Sequence, residues 1–388
     1  MSTYLLKIAL YCSCLNLLFT PISNSIAKVF GYATILIFVL SIIFPMIQTN
    51  KVKIHIIVIG IMGSILLSFC FSLKSLQVHS LETTIDNIMS IVAFVIFYWG
   101  LSYPVQEKNA IVLEDVFKVN YVLVAIFVLY AFGPFSFKYE TINEYGDTLY
   151  TMGLGNPNAS AILVMFASTI LLIQLCSSNK LWVKVINVIL IGILIYILVK
   201  LSSRTVLFCL LLVISLLIFK TSKYIYILSY ISIFVSLFMI FFQLRLLNAD
   251  IGFTILSKDV STGRPEMYKT YIETISNNPF VFIWGDLCKY NFYNAHNGIL
   301  TIFLNLGIIG VVLYYIFWMQ QFRSVKDNVV EKHQIIAFAT IIAILIHSSS
   351  ESMGVIGVIP YSLYVLIIMR IVKGEIRGKY DRVTDNTA

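Results

Sequence analysis

The chain alternates long apolar stretches with short polar ones. A run of about 18 or more apolar residues with few charges reads as a membrane-spanning helix. About twelve such runs follow one another: 4–20, 28–48, 54–73, 87–104, 119–136, 158–177, 182–199, 203–219, 224–243, 297–320, 334–350 and 354–372. The first contains Lys7 and no small-residue cleavage site, so it reads as a retained helix and not as a signal peptide. None shows the period-two alternation of a transmembrane β-barrel strand. The expected fold is an all-α, polytopic integral membrane protein. It would form a single transmembrane domain over 1–388, with about 12 transmembrane helices and one long structured external loop. No tandem or inverted repeat relates the two halves.

Composition removes other classes. The chain is 59% hydrophobic and 12% charged, with a mean hydropathy of +0.90. A water-soluble domain carries about 25% charged residues, so a soluble enzyme, a disordered chain and a secreted disulfide scaffold are excluded. The net charge of +8 suggests a membrane surface or a nucleic acid, and its distribution decides between them. With both termini cytoplasmic, 17 of the 27 basic residues fall on the cytoplasmic side, in short loops and in the tail from Lys373 to Arg382. That is the positive-inside asymmetry, and no nucleic-acid partner is expected. It also makes 244–295, the longest polar segment, an external loop, joined there by the acid-rich 137–157 segment. The six cysteines have no disulfide or zinc spacing.

Several polar residues break the apolar pattern. Lys200 and Arg204 flank the short external turn Leu201-Ser202-Ser203, where basic residues are disfavoured. Lys200 reads as a snorkelling side chain. Arg204 reads as either a snorkel or a functional cation at a span entrance. In the long loop, Thr262-Gly263-Arg264-Pro265-Glu266 predicts a helix start. Met267, Tyr268, Tyr271, Ile272 and Ile275 continue it as one apolar stripe, lying on the membrane or on the bundle. Arg264 at that start suits either a phosphate or a carboxylate partner. His296, within Asn294-Ala295-His296-Asn297, enters span ten from outside and has the proton affinity of a general base. The alternative is an interfacial histidine bonded to water. His347, before Ser348-Ser349-Ser350-Glu351, competes for the role. Asn156-Pro157-Asn158 opens span six, with Asn158 as its expected cap. Glu351 is either a cavity carboxylate or a solvated turn residue. Gly307/Gly310 and Gly354/Gly357 read as sites of close helix packing. No metal-ligand cluster and no cofactor motif is visible.

The order of these motifs resembles the O-antigen polymerase/ligase family. The likeness rests on Ser203-Arg204 opening a span, Thr262-Gly263-Arg264, Asn277-Asn278-Pro279 with Trp284-Gly285-Asp286, and His296-Asn297 followed by Leu304 to Gly310. Asn156-Pro157-Asn158 is also similar. The resemblance covers about 150–320; one departure is Trp284-Gly285-Asp286, where the family has a small Gly-x-Gly. It implies a metal-independent, inverting membrane glycosyltransferase at the external face of the bacterial cytoplasmic membrane. The donor would be an undecaprenyl-diphosphate-linked glycan, and the acceptor a glycan or lipid-linked glycan. A chain-length regulator and a flippase of the same pathway would be partners. Arg204 and Arg264, with Ser203, would hold the donor diphosphate. His296 would take the acceptor proton, in a cavity lined by Asn156, Asn158, Asn294, Asn297 and Glu351.

Within that family a polymerase of O-antigen, capsule or exopolysaccharide repeat units is preferred. A ligase that transfers the glycan to lipid A-core is the alternative. A rival from another class is a lipid-glycan flippase or transporter, for which internal repeats and broken helices are the expected marks. A non-catalytic scaffold would not need the two misplaced arginines.

Overall fold

The computed structural model describes residues 2–20, 22–49, 56–73, 113–133, 140–142, 148–152, 157–219, 254–255, 258–259, 264–290, 297–328 and 331–349, together with parts of 91–100, 227–235 and 364–369. Its helices are α1 (Ser2–Phe19), α2 (Asn24–Thr49), α3 (Ile56–Ser72), α4 (Leu113–Phe132), α5 (Pro157–Ser177), α6 (Leu181–Lys200), α7 (Arg204–Phe219), α8 (Arg264–Asn277), α9 (Pro279–Trp284), α10 (Leu287–Tyr290), α11 (Gly298–Asn328) and α12 (Glu331–Ser348). Two short antiparallel ribbons complete it: β1 (Glu140–Ile142) with β2 (Thr148–Tyr150), and β3 (Thr254–Ile255) with β4 (Lys258–Asp259). Five helices, α2, α4, α5, α6 and α11, are long and apolar enough to cross a membrane. Four shorter apolar helices, α1, α3, α7 and α12, accompany them. This is the architecture of a helical membrane protein. The expected spans 87–104, 224–243 and 354–372 lie largely outside the described residues.

Side-chain contacts fix the direction of each helix; we call the end that carries Asn297 the upper end. Ser68 of α3 donates to the Asn305 carbonyl of α11 at 2.6 Å, and Gly60 lies against Leu313. The two helices are therefore antiparallel. α12 returns along α11, with Phe322 near Phe338 and the Tyr314 hydroxyl 3.1 Å from Ser348 Oγ. In α1 and α4, Lys7 pairs with Asp115 at 2.5 Å at one end, and Tyr130 donates to the Leu18 carbonyl at the other. α1 and α2 form a hairpin closed by Asn16 bonding the Ala27 carbonyl at 2.6 Å. Because α2 ends six residues or so before α3 begins, the Lys7–Asp115 level is the lower end.

Burial sorts these helices into centre and rim. Nearly four-fifths of the α5 span is buried, against a third of α2 and α6. A helix that is apolar all round belongs in the centre, and α5 packs on α4, α6 and α7. Small residues let it do so: the Asn120 amide of α4 reaches the Ala167 carbonyl at 3.1 Å. One polar group of α6, Asn187, is fully buried. It accepts from the Tyr121 hydroxyl at 2.8 Å and donates to Gln174 at 3.2 Å. Such bonds tie α4, α5 and α6 together where apolar packing alone has no direction.

α11 is broken. Gly307 has φ 63° and ψ −166°, a conformation essentially restricted to glycine. Gly285, which ends α9, has φ 77° and ψ −174°. The two glycines back onto each other's chains: a Cβ on Gly307 would stand 2.2 Å from the Ile283 carbonyl oxygen, and one on Gly285 would stand 2.2 Å from the Asn305 carbonyl carbon. Gly307 therefore allows close packing against the end of α9, as its spacing with Gly310 suggested, but through a break in its own helix. It interrupts α11 where the end of α9 and the turn at Gly285 approach its backbone. The carbonyls released by the break are taken up by others: Asp286 N–H donates to Leu304 at 2.7 Å and Ser68 to Asn305.

Alanine at Gly307 or Gly285 should cost at least about 1–3 kcal/mol from backbone strain alone, before the clash is counted. Alanine at Gly63 or Gly192, where an added Cβ meets nothing within 4 Å, should be neutral or slightly stabilising. Thermal unfolding of the four purified variants in detergent checks the contrast.

Candidate functional site

The polar residues of interest gather at the upper end in two sets. The first is the turn between α6 and α7. α6 ends at Lys200, Ser202 takes φ 52°, and α7 begins at Arg204. This tight reversal returns the chain at once, so Lys200 and Arg204 stay at one level. Ser203 is buried and its hydroxyl donates to Asn158 Oδ1 at 2.9 Å. That bond joins the start of α7 to the start of α5. Asn158 is consequently not the cap it was expected to be. Pro157 occupies the first helical position, which suits its missing N–H, and Asn158 lies within the first turn with its side chain turned to Ser203. Arg204 is half-buried.

Lys200, the last residue of α6, is exposed, as a snorkelling side chain would be. Its Nζ lies 5.8, 5.7 and 5.7 Å from the ring centroids of Phe132, Tyr150 and Tyr196, inside the range of a cation–π contact. It is gathered over aromatic rings from α4, β2 and α6. Tyr150 is itself fixed by donating to the Tyr130 carbonyl at 2.6 Å. Next to it, Met152 is fully buried at φ 53°, and Ser160 donates to the Thr151 carbonyl. Residues 150–152 are thereby pinned to α4 and α5.

The second set surrounds the start of α11. Asn297 is 1% exposed and uses both ends of its amide. Oδ1 accepts from Leu300 N–H at 3.0 Å, which caps α11. Nδ2 donates to the Ser349 carbonyl at 2.7 Å, which ties α11 to the end of α12. Thr301 bonds back to the Asn297 carbonyl at 2.9 Å. Below this, Ser348 contacts Tyr314, and His347 is buried at 1% exposure, inside the packed end of α12.

The two sets share the upper end. Cys209 of α7 lies 3.5 Å from the Ala343 carbonyl of α12. Arg204 stands five residues above Cys209, and Ser348 five residues beyond Ala343. α7 runs downward, because residues shortly after it put Tyr230 beside Phe322 at the lower part of α11. Arg204 and Ser348 are therefore at similar height.

Of the remaining expected site residues, Asn156, Asn294, His296 and Glu351 lie outside the described residues. Arg264 opens α8, one position before the expected Pro265 start; its side chain is also outside them. α8 lies on the bundle: Tyr268 and Ile275 pack with Val281, Leu300 and Leu304. Among the described residues no three His, Cys, Asp or Glu side chains group as a metal site would need.

Sequence reasoning passed over Ser68 and Ser72, although a signal was present. Ser64, Ser68 and Ser72 recur every four residues in α3 and so form a polar stripe on an apolar helix. It also passed over the aromatic residues around Lys200: Phe132 and Tyr150 come from distant segments, whereas Tyr196, one turn earlier in α6, was within reach of a local reading.

No protein-family model matches this chain, and no curated protein matches it.

Asn297→Ala would leave the Leu300 N–H and the Ser349 carbonyl unbonded in a buried place. It should lower stability by about 1–3 kcal/mol. Ser203→Ala, which removes one interhelical bond, should cost about 0.6 kcal/mol. Detergent-phase unfolding of both variants, side by side, measures the order.

Proposed function

We propose that this chain is a membrane glycosyltransferase that polymerises undecaprenyl-diphosphate-linked repeat units of O-antigen, capsule or exopolysaccharide at the external face of the bacterial cytoplasmic membrane. The observation that supports it is the common height of the Ser203–Arg204 turn and of Asn297, the residue that follows His296. Arg204 and Arg264 neutralise the charge that develops on the leaving diphosphate, a guanidinium fork being well matched to phosphate oxygens. Ser203 and Asn158 keep the Arg204 turn in place. His296 removes the proton of the acceptor hydroxyl as its oxygen bonds the anomeric carbon; the glycosidic bond to the lipid diphosphate breaks and inverts that centre. The chemistry needs no cofactor. A ligase acting on lipid A-core would use the same steps with a different acceptor.

One feature favours a second reading, a lipid-glycan flippase. Transporters build their sites from discontinuous helices, and α11 is discontinuous at Gly307. The two readings separate in proteoliposomes that contain a purified lipid-linked glycan. A polymerase yields longer glycans; a flippase moves the donor between leaflets without lengthening it.

In the product assay, His296→Ala should lose about 10²–10⁴-fold of activity. Arg204→Lys and Arg264→Ala should each lose about ten- to hundredfold, in line with a charge-assisted contact of about 1.5–3 kcal/mol. Full activity of His296→Ala together with loss in His347→Ala would move the base to α12.

A further inference from the structure

The segment 278–290 was expected to be part of a polar external loop. Its structure is that of a short helical hairpin folded down along α3 and α11. Asn278 caps α9 by accepting from Phe280 and Val281 N–H at 3.1 and 3.4 Å, with Pro279 in the first turn. Gly285 turns the chain against Asn305 and Leu306, and α10 climbs away again.

Three observations concern what surrounds this hairpin. The first is depth. Arg323 marks the lower polar boundary of α11, and about 20 residues span the hydrocarbon core. Counting upward from Phe322 puts the other boundary near residue 303. Asn305 and Leu306 lie below that level, and so does the Gly285 turn that touches them.

The second is the backbone. Non-helical chain at membrane depth is tolerated only where its polar groups find partners within the protein. Every backbone N–H from Gly285 to Tyr290 has one. Gly285 donates to Val281, Asp286 to Leu304 and Tyr290 to Asp286, at 2.9, 2.7 and 3.0 Å. Leu287 donates to Ser68 Oγ at 3.2 Å, Cys288 to Ser72 Oγ at 3.1 Å and Lys289 to Asp286 Oδ1 at 3.0 Å. A loop in water would not need two serines from another helix to complete this set.

The third is the outer face. Phe280, Phe282 and Ile283 are exposed, at 65%, 44% and 40%. They continue the outward apolar surface of α3, formed by Leu66, Phe69 and Phe71. The joint is aromatic: Phe71 stacks on Trp284 with centroids 5.1 Å apart and lies 6.3 Å from Phe280.

We propose that 278–290 is a re-entrant hairpin, seated in the bilayer margin at the upper end, whose Phe280, Phe282 and Ile283 are covered by the acyl chains of the surrounding phospholipid. The inference does not depend on any enzymatic activity.

Spin labels test it in the full-length protein, reconstituted in phosphatidylethanolamine/phosphatidylglycerol vesicles. Cys12, Cys70, Cys176 and Cys288 are replaced by Ser, and a label is attached at Phe280→Cys, Phe282→Cys or Ile283→Cys in turn. Collision with oxygen, which concentrates in lipid, should exceed collision with a water-soluble nickel chelate by severalfold at all three. The exposed Glu273 position on α8, labelled as Glu273→Cys, should show the reverse. Preference for nickel at 280, 282 and 283 would overturn the proposal, and so would screening from both probes, which would mean cover by protein. Should the serine background fail to fold, Trp284 emission, taken as the difference between the unmodified protein and Trp284→Phe, replaces it. Stronger quenching by phospholipid brominated near the headgroup end of the chains than by aqueous iodide supports the hairpin; the opposite order overturns it.

Discussion

A backbone inside a hydrocarbon layer leaves helical geometry only where each released N–H and C=O meets another partner. At Gly307 the chain does so, and much of the upper end is arranged around the consequences. The break frees carbonyls at Leu304 and Asn305. One is met by the N–H of Asp286 and the other by the hydroxyl of Ser68. For Asp286 to arrive, the preceding residue must pass against the α11 backbone, and only a glycine at 285 leaves the room. For Ser68 to arrive, α3 must run antiparallel to α11 at close range. Two glycines and one serine therefore set the relation of α3, the α9–α10 hairpin and α11. Asn297, seven residues above the break's first freed carbonyl, is carried by the upper half of that helix.

Much of the architecture was legible in the pattern of apolar runs. Lipid exposure demands length and apolar character of each helix, and both are local properties of sequence. The start of α7 at Arg204 and the separation of α8 from α9 at Asn278-Pro279 were equally readable, since caps and prolines act over a few residues. The break in α11 was not. Leu304 to Gly310 is apolar but for Asn305, and a glycine in such a run is compatible with an intact helix. What distinguishes Gly307 is a loop that arrives from 22 residues earlier in the chain, where Gly285 sits. Periodicity holds no trace of such an encounter.

The site followed the same division. That Ser203, Arg204 and Asn297 belong at one end could be inferred from counting spans. Their partners could not. Asn158 was legible as a polar residue at a helix start, yet its bond to Ser203 joins residues 45 apart in the chain. Asn297 was legible as a neighbour of His296, but its hold on Ser349 spans 52 residues. Lys200 looked misplaced by the rule for charges; of the three rings around it, Tyr196 lies one turn earlier in α6 and is locally readable, while Phe132 and Tyr150 come from distant segments that no local pattern connects to it.

Ser68 has a further consequence, for the order in which the protein is made. Its partners lie 219 and 237 residues later in the chain. At a synthesis rate of about 5–20 residues per second, α3 resides in the bilayer for roughly 10–45 seconds before α10 and α11 exist. In that interval a serine hydroxyl facing lipid can bond only within its own helix, to the carbonyl one turn earlier, as Ser72 still does to Ser68 at 2.7 Å. The final bond to Asn305 is then an exchange of one acceptor for another and not a rescue from an unbonded state. α3 is a segment able to wait, and the late arrival of α11 converts its temporary self-bonding into a permanent joint between distant parts of the nascent chain.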